Sequence, residues 1–96
     1  MRFEILLAPE AVQDLKHLKA HDRAEVRDAI EAHLRHQPTK TSRSRIKHLR
    51  GISRPEYRLR VGEIRIFCDV TKNVVEILAI VAKSEAAEWL EKAGNK

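Results

Sequence analysis

The stretch YRLRVGEIRIFCDV, from Tyr57 to Val70, leaves the backbone little choice. Two alternating runs, Tyr57–Val61 and Ile64–Val70, stand only two residues apart, and the first of those two is glycine. Alternation is the period of a strand, and a two-residue Gly-X link suits the type II′ turn whose twist matches a pair of strands. With Gly62-Glu63 as the loop, Val61 faces Ile64, and the pairs run outward as Arg60–Arg65, Leu59–Ile66, Arg58–Phe67 and Tyr57–Cys68. Tyr57, Leu59, Val61, Ile64, Ile66, Cys68 and Val70 then share an apolar face, and Arg58, Arg60 and Arg65 share the other. Like charges directly opposite each other destabilise a strand pair. The Arg60–Arg65 pair is therefore expected to cost local stability. Its face is expected either to hold an anion or to splay its guanidinium groups toward water.

The charge around this hairpin is segregated. No acidic residue occurs from Ala32 to Pro55, and from Ala32 to Arg65 ten basic residues meet two acidic ones, Glu56 and Glu63. That segment carries +8 of a chain whose net charge is +5, which leaves −3 for the remainder. Charge so concentrated raises the local potential and draws polyanions. Nucleic acid is the foremost partner and an acidic protein segment the second, and the two are compatible.

Ninety-six residues suit a single domain, 1–96, with one sheet and two or three helices. The opening MRFEILLAPE lacks the apolar core and cleavage site of a signal peptide, and no segment has the length of a membrane span. One cysteine, Cys68, falls on the apolar hairpin face. It reads as a buried small residue in a cytoplasmic protein.

In chain order, residues 2–7 read as a first strand, and Pro9 suits the first turn of a helix carrying Ala11, Val12, Leu15 and Leu18. Asp22 and Glu25 resemble a capping box opening a second helix over 23–36, with Val26, Ala29, Ile30, His33 and Leu34 on its buried side. The two are expected to form an antiparallel hairpin. Residues 38–44 form a polar basic loop, and 46–49 a short strand. A turn over 51–55 leads into the hairpin. Residues 74–82 are apolar on both sides except at Glu76, as in a central strand covered on both faces. Ser84 is expected to cap a last helix over 85–93, with Trp89 as its core anchor and Gly94 ending it. The sum is an α+β fold. An N-terminal strand and helical hairpin pack on a mainly antiparallel sheet of four to five strands, with a short C-terminal helix and the helices on one side.

No nucleotide-binding, zinc-protease or serine-hydrolase motif occurs, and His17, His21 and Asp14 straddle a helix end; no metal or cofactor is expected. The arginine face can support RNA cleavage without one. When a ribose 2′-OH attacks the adjacent phosphate, charge builds on the phosphate oxygens, and fixed guanidinium groups stabilise it. Arginine does not give up its proton, so a general acid or base must come from elsewhere. His48 is the best histidine, with Glu56, Glu63 and Lys83 as the other candidates.

The strand–helix–helix–strand order, Leu49-Arg50-Gly51, the run Arg58-x-Arg60-Val61-Gly62-Glu63-Ile64-Arg65 and a last apolar strand ending at Lys83 together resemble the RelE/ParE superfamily. These are toxins of bacterial type II toxin–antitoxin pairs. The resemblance implies a cognate antitoxin that wraps and neutralises the toxin, and DNA binding only as that complex. The RelE branch cuts mRNA on the ribosome and the ParE branch inhibits DNA gyrase. A RelE-like reading places Arg60 and Arg65 on the scissile phosphate and Arg58, Lys47, Arg50 and Arg54 along the RNA backbone, with Arg43 and Arg45 beside them. His48 and Lys83 complete the catalytic set. A further family arginine falls at Ser84, and the family's C-terminal tyrosine or histidine falls around Trp89 and Leu90, neither of which transfers a proton usefully. A gyrase inhibitor without catalysis and a toxin fold without activity are the alternatives.

Overall fold

The hairpin forms in the register that its alternation dictates. In a computed structural model describing residues 2–51 and 54–94, β3 (Tyr57–Val61) and β4 (Ile64–Val70) pair from Val61–Ile64 through Arg60–Arg65 to Tyr57–Cys68. Gly62 takes a φ of +56° while Glu63 keeps a negative one, the φ pattern of the type II′ turn. β2 (Ile46–His48) extends the sheet on one side of this hairpin, and β5 (Val74–Ala82) extends it on the other. β1 (Glu4–Leu7) closes the far edge parallel to β5, giving the order β1-β5-β4-β3-β2. β5 is thus internal, as its two-sided apolar pattern predicts. Its register slips by one residue between Phe67 and Cys68, where Leu78 has no partner on β4.

α1 (Pro9–His17) and α2 (Ala20–His33) cover one face. Ala11, Val26, Ala29, Ile30 and Leu34 meet Ile46, Leu59, Val61, Ile64, Ile66, Cys68, Val75, Ile77 and Ile80 in one buried cluster. Burying apolar side chains at roughly 25 cal/mol per Å² is the main favourable term in such a fold. α2 begins at Ala20 with Lys19 as N-cap, and no side chain caps it. The expected capping box therefore does not form: Asp22 lies inside the first turn, where its charge complements the helix dipole. The C-terminal end of α2 is tied to β1 instead, since Phe3 donates to the Arg35 carbonyl at 2.7 Å and the Arg35 guanidinium donates to the Phe3 carbonyl at 3.0 Å.

α3 (Lys83–Gly94) corrects the expectation that all helices share one side. Phe67 alternates with Ile66 and Cys68, so it points away from α1 and α2, and Trp89 of α3 stacks on it at 4.9 Å and 5°. Trp89 does anchor the last helix, but on the arginine face. The helix starts at Lys83, so Ser84 lies within it rather than capping it. No helix among the described residues is long and apolar enough to cross a membrane.

Candidate nucleic-acid interface

Cross-strand pairing assigns each basic residue to a face. Lys47 pairs with Arg58 and Arg60 pairs with Arg65. Arg60 donates its N–H to the Arg45 carbonyl at 2.9 Å, which continues the ladder one residue and sets Arg45 opposite Arg60. Arg45, Lys47, Arg58, Arg60 and Arg65 therefore lie on one face of β2-β3-β4, the one turned away from α1 and α2. Among the described residues none of the five forms an ion pair. The like charges tell on Arg58. Burial, then Arg65, then Arg60 lower its pKa, and its Nε is buried with no hydrogen-bond partner. A buried donor without an acceptor inside a cluster of cations is locally costly to the fold.

The two opposed arginines are not equivalent. Arg60 is exposed. Arg65 is only 6% exposed, and its Nη1 donates to the Gly62 carbonyl at 2.8 Å and the Ile64 carbonyl at 3.0 Å. Its guanidinium closes the hairpin turn from within. The opposed pairing expected from the sequence is present, and Arg65 also carries the turn, so the pair is not a cost alone.

Other sequence candidates fall elsewhere. His48 pairs with Tyr57, on the face that holds Ile46 and Leu59, and the two rings lie 5.0 Å apart. It is thus on the opposite side of the sheet from the guanidinium groups, because residues 46–48 alternate and only Lys47 points their way. Arg54 donates to Asp69 at 2.6 Å and to Glu76 at 2.7 Å, so two carboxylates neutralise the charge assigned to RNA. Arg35 is likewise engaged, by Glu31 and Phe3. Arg43 and Arg50 are exposed in the loops flanking β2, where with His48 they line a shallow cleft. Part of the turn expected over 51–55, Ile52 and Ser53, lies outside the described residues. Lys83 donates its N–H to the Glu63 carbonyl at 2.8 Å, which fastens the start of α3 to the hairpin tip next to the Arg60–Arg65 pair.

Arg45, expected beside the RNA backbone, joins the arginine face only because β2 is in register with β3. One feature escaped the sequence reading. Asp14 occupies a position on the apolar stripe of α1, between Ala11 and Leu18, and that misplaced charge was the available signal. Its Oδ2 accepts the Ile80 N–H at 2.9 Å, beyond the last β1–β5 pair, Leu7–Ile77, where β5 has run out of partners on β1. His17, another member of that discounted metal group, bonds back to the Gln13 carbonyl.

Similarity to known proteins agrees with this architecture. No curated protein matches the sequence. The fold matches the RelB–RelE antitoxin–toxin complex of Methanococcus jannaschii with a TM-score of 0.68 and 25% identity, over 88% of this chain and 96% of that one. It matches the RelBE2 toxin–antitoxin complex of Mycobacterium tuberculosis with a TM-score of 0.74 and 20% identity, over 85% and 99%. A free-state RelE mutant of Escherichia coli gives 0.70 and 20%, over 98% and 95%. The family model for the ParE toxin of the type II toxin–antitoxin system, parDE, matches residues 5–87. That span takes in the basic hairpin and most of the sheet around it, and with it the chain belongs to the ParE toxin family, within the RelE/ParE superfamily of type II toxins.

Proposed function

We propose that this toxin acts on RNA at the ribosome as an endoribonuclease, binding the phosphate backbone on the arginine face of β2-β3-β4. The observation that carries the reading is the run of five cations without an ion pair, with the unpartnered Nε of Arg58 among them. Arg58 and Arg60 contact the scissile phosphate and stabilise the charge that develops as the 2′-OH attacks. Lys47 and Arg45 hold the flanking backbone. Arg65 acts as a positioning residue, since its Nη1 is committed to the turn carbonyls. Arg54 is left out of the set because Asp69 and Glu76 hold it. His48 is left out as acid or base because it faces the other way. Glu63 and Lys83, joined through the backbone at the hairpin tip, are the proton-transfer groups beside the Arg60–Arg65 pair. The cognate antitoxin covers the same cations with acidic residues.

A second reading, gyrase inhibition without catalysis, is favoured by the match to the ParE model and by the histidine facing away. Purified toxin assayed on translating ribosomes and on gyrase supercoiling separates the two. The RNA reading expects mRNA cleavage, a loss of about 100-fold or more on Arg60→Ala, as for removal of one preorganised charge-stabilising donor, and little change on Arg54→Ala. Supercoiling inhibition with intact mRNA would overturn it.

A further inference from the structure

Where the arginine face reaches the open edge of β2, it runs into a cleft of about 340 Å³ between the end of α2 and the basic loop. His33, Lys40, Thr41, Ser42, Ser44 and Arg45 line it, over the buried side chain of Ile46. We propose that this cleft is a second phosphate subsite, taking a phosphodiester of the same RNA strand that lies on Arg58 and Arg60. The inference rests on the RNA reading above and adds a place for the backbone beyond the sheet edge.

Three observations converge on it. No carboxylate lines the cleft, and none occurs in the sequence from Ala32 to Pro55 to serve as a counter-ion from the same segment. Its donors are two exposed cations, an imidazole and three hydroxyls, a set that can surround a tetrahedral oxyanion, whereas a planar carboxylate is best met by a bidentate guanidinium. Arg45 belongs to both places. Its carbonyl is held by the Arg60 N–H, which puts it on the arginine face, and it also lines the cleft. Two inter-strand spacings, roughly 10 Å in all, separate β4 from β2. A strand of RNA crossing Arg65, Arg60 and Arg45 reaches this opening by turning round the β2 edge at Arg45, since Ala32, His33 and Ile46 set the cleft on the α2 side.

The rim is built in advance. Ser42 donates its N–H to the Ile46 carbonyl at 2.9 Å, its Oγ accepts the Arg45 N–H at 3.0 Å, and Lys40 donates to the Gln37 carbonyl at 3.2 Å. Pro38, fully buried, roots the loop. Burial and then Arg45 lower the His33 pKa, which sets the imidazole near that cation on the cleft wall.

The test uses the full chain and uncleavable 2′-O-methyl RNA oligonucleotides of increasing length, with binding read against salt. The double variant K40A/S44A changes two exposed residues outside the proposed catalytic set. It is expected to bind a dinucleotide as the wild type does. It should bind a longer strand about ten-fold more weakly, with a salt slope smaller by about 0.7 for the lost charged contact. Arg60→Ala should weaken both lengths. If K40A/S44A binds every length like the wild type while Arg60→Ala does not, the cleft is not a subsite and the arginine-face reading stands. If neither variant changes RNA binding, the reading beneath the proposal fails with it. Unchanged RNA binding with weakened antitoxin binding would assign the cleft to an acidic protein segment and overturn the proposal. Independently of any variant, titrating the wild type with inorganic phosphate should shift the amide resonances of residues 40–45 to saturation, and unmoved resonances would refute the subsite.

Discussion

Arg60 and Arg65 face each other across the hairpin, and the structure expects their removal to have opposite effects on stability. Arg65→Met keeps an unbranched chain in a site that is only 6% exposed, and it deletes the Nη1 bonds to the Gly62 and Ile64 carbonyls. A hydrogen bond from a charged donor contributes about 1.5–3 kcal/mol net, and two bonds from one nitrogen count for little more than one. Against this stands the relieved repulsion, about 0.2–1 kcal/mol for a directly opposed pair. The expected balance is a loss of about 1–3 kcal/mol. At roughly 4–8 °C per kcal/mol for a domain of this size, Tm should fall by about 5–20 °C. Arg60 is exposed and makes no ion pair, so Arg60→Ala loses only the repulsion and should melt at the wild-type temperature or a few degrees above it. Its gain should shrink in high salt, where the repulsion is screened. Urea unfolding with an unchanged m-value, alongside calorimetry, reads both variants. An Arg65→Met protein as stable as the wild type would show that the turn bonds contribute nothing beyond the repulsion. The division into a positioning and a contacting arginine would then be wrong.

Two further outcomes follow from single contacts. Asp14→Ala removes the acceptor of the Ile80 N–H and leaves that part-buried donor unpaired, an expected cost of about 1–3 kcal/mol in urea unfolding, with Asn restoring most of it through its carbonyl oxygen. Burial, then Asp69 and Glu56, push the Cys68 thiol from 9.0 up to about 12. The folded thiol keeps its proton where the unfolded one has lost it, so its contribution is fully present below pH 9 and is lost as pH rises toward 12. Alkylation of Cys68 in the native protein at pH 8 should be negligible and appear only on unfolding; rapid native labelling would contradict the burial.

What could be read from the sequence was what short-range geometry controls. The hairpin register follows from a period of two and a two-residue glycine loop, so the Arg58–Phe67 and Arg60–Arg65 pairs were legible without coordinates. The two-sided apolar pattern of β5 likewise announced an internal strand. Sequence separation defeated the rest. Whether Arg54 faced RNA or protein depended on Asp69 and Glu76, 15 and 22 residues away, and no local pattern marks such a partner. Being one strand away says nothing about which face is shared: a single residue of phase carries Lys47 to the arginines and His48 to Tyr57. Helix starts were misplaced for a related reason. Asp22 and Ser84 have the chemistry of caps, but docking against the sheet set where α2 and α3 begin.

The placement of α3 ties fold to function most closely. An amphipathic helix can pack on either face of a sheet, and Phe67 decides the matter. It is the one large apolar side chain of β4 on the arginine face, fully buried, and Trp89 stacks upon it. Offset aromatic pairs contribute about 0.5–1.5 kcal/mol beyond their buried area, and the Lys83 N–H bond to the Glu63 carbonyl ties down the start of the same 12-residue helix. The Phe67–Trp89 contact puts an apolar anchor one strand from Arg58 and two residues from Arg65. The cations therefore sit beside a low-dielectric surface, where an unpaired charge is stronger and costlier than in water. Burial there, then the charges of Arg65 and Arg60, is why the pKa of Arg58 falls. A phosphate arriving on Arg58 and Arg60 would meet one half-buried and one exposed guanidinium, with no ion pair to break first.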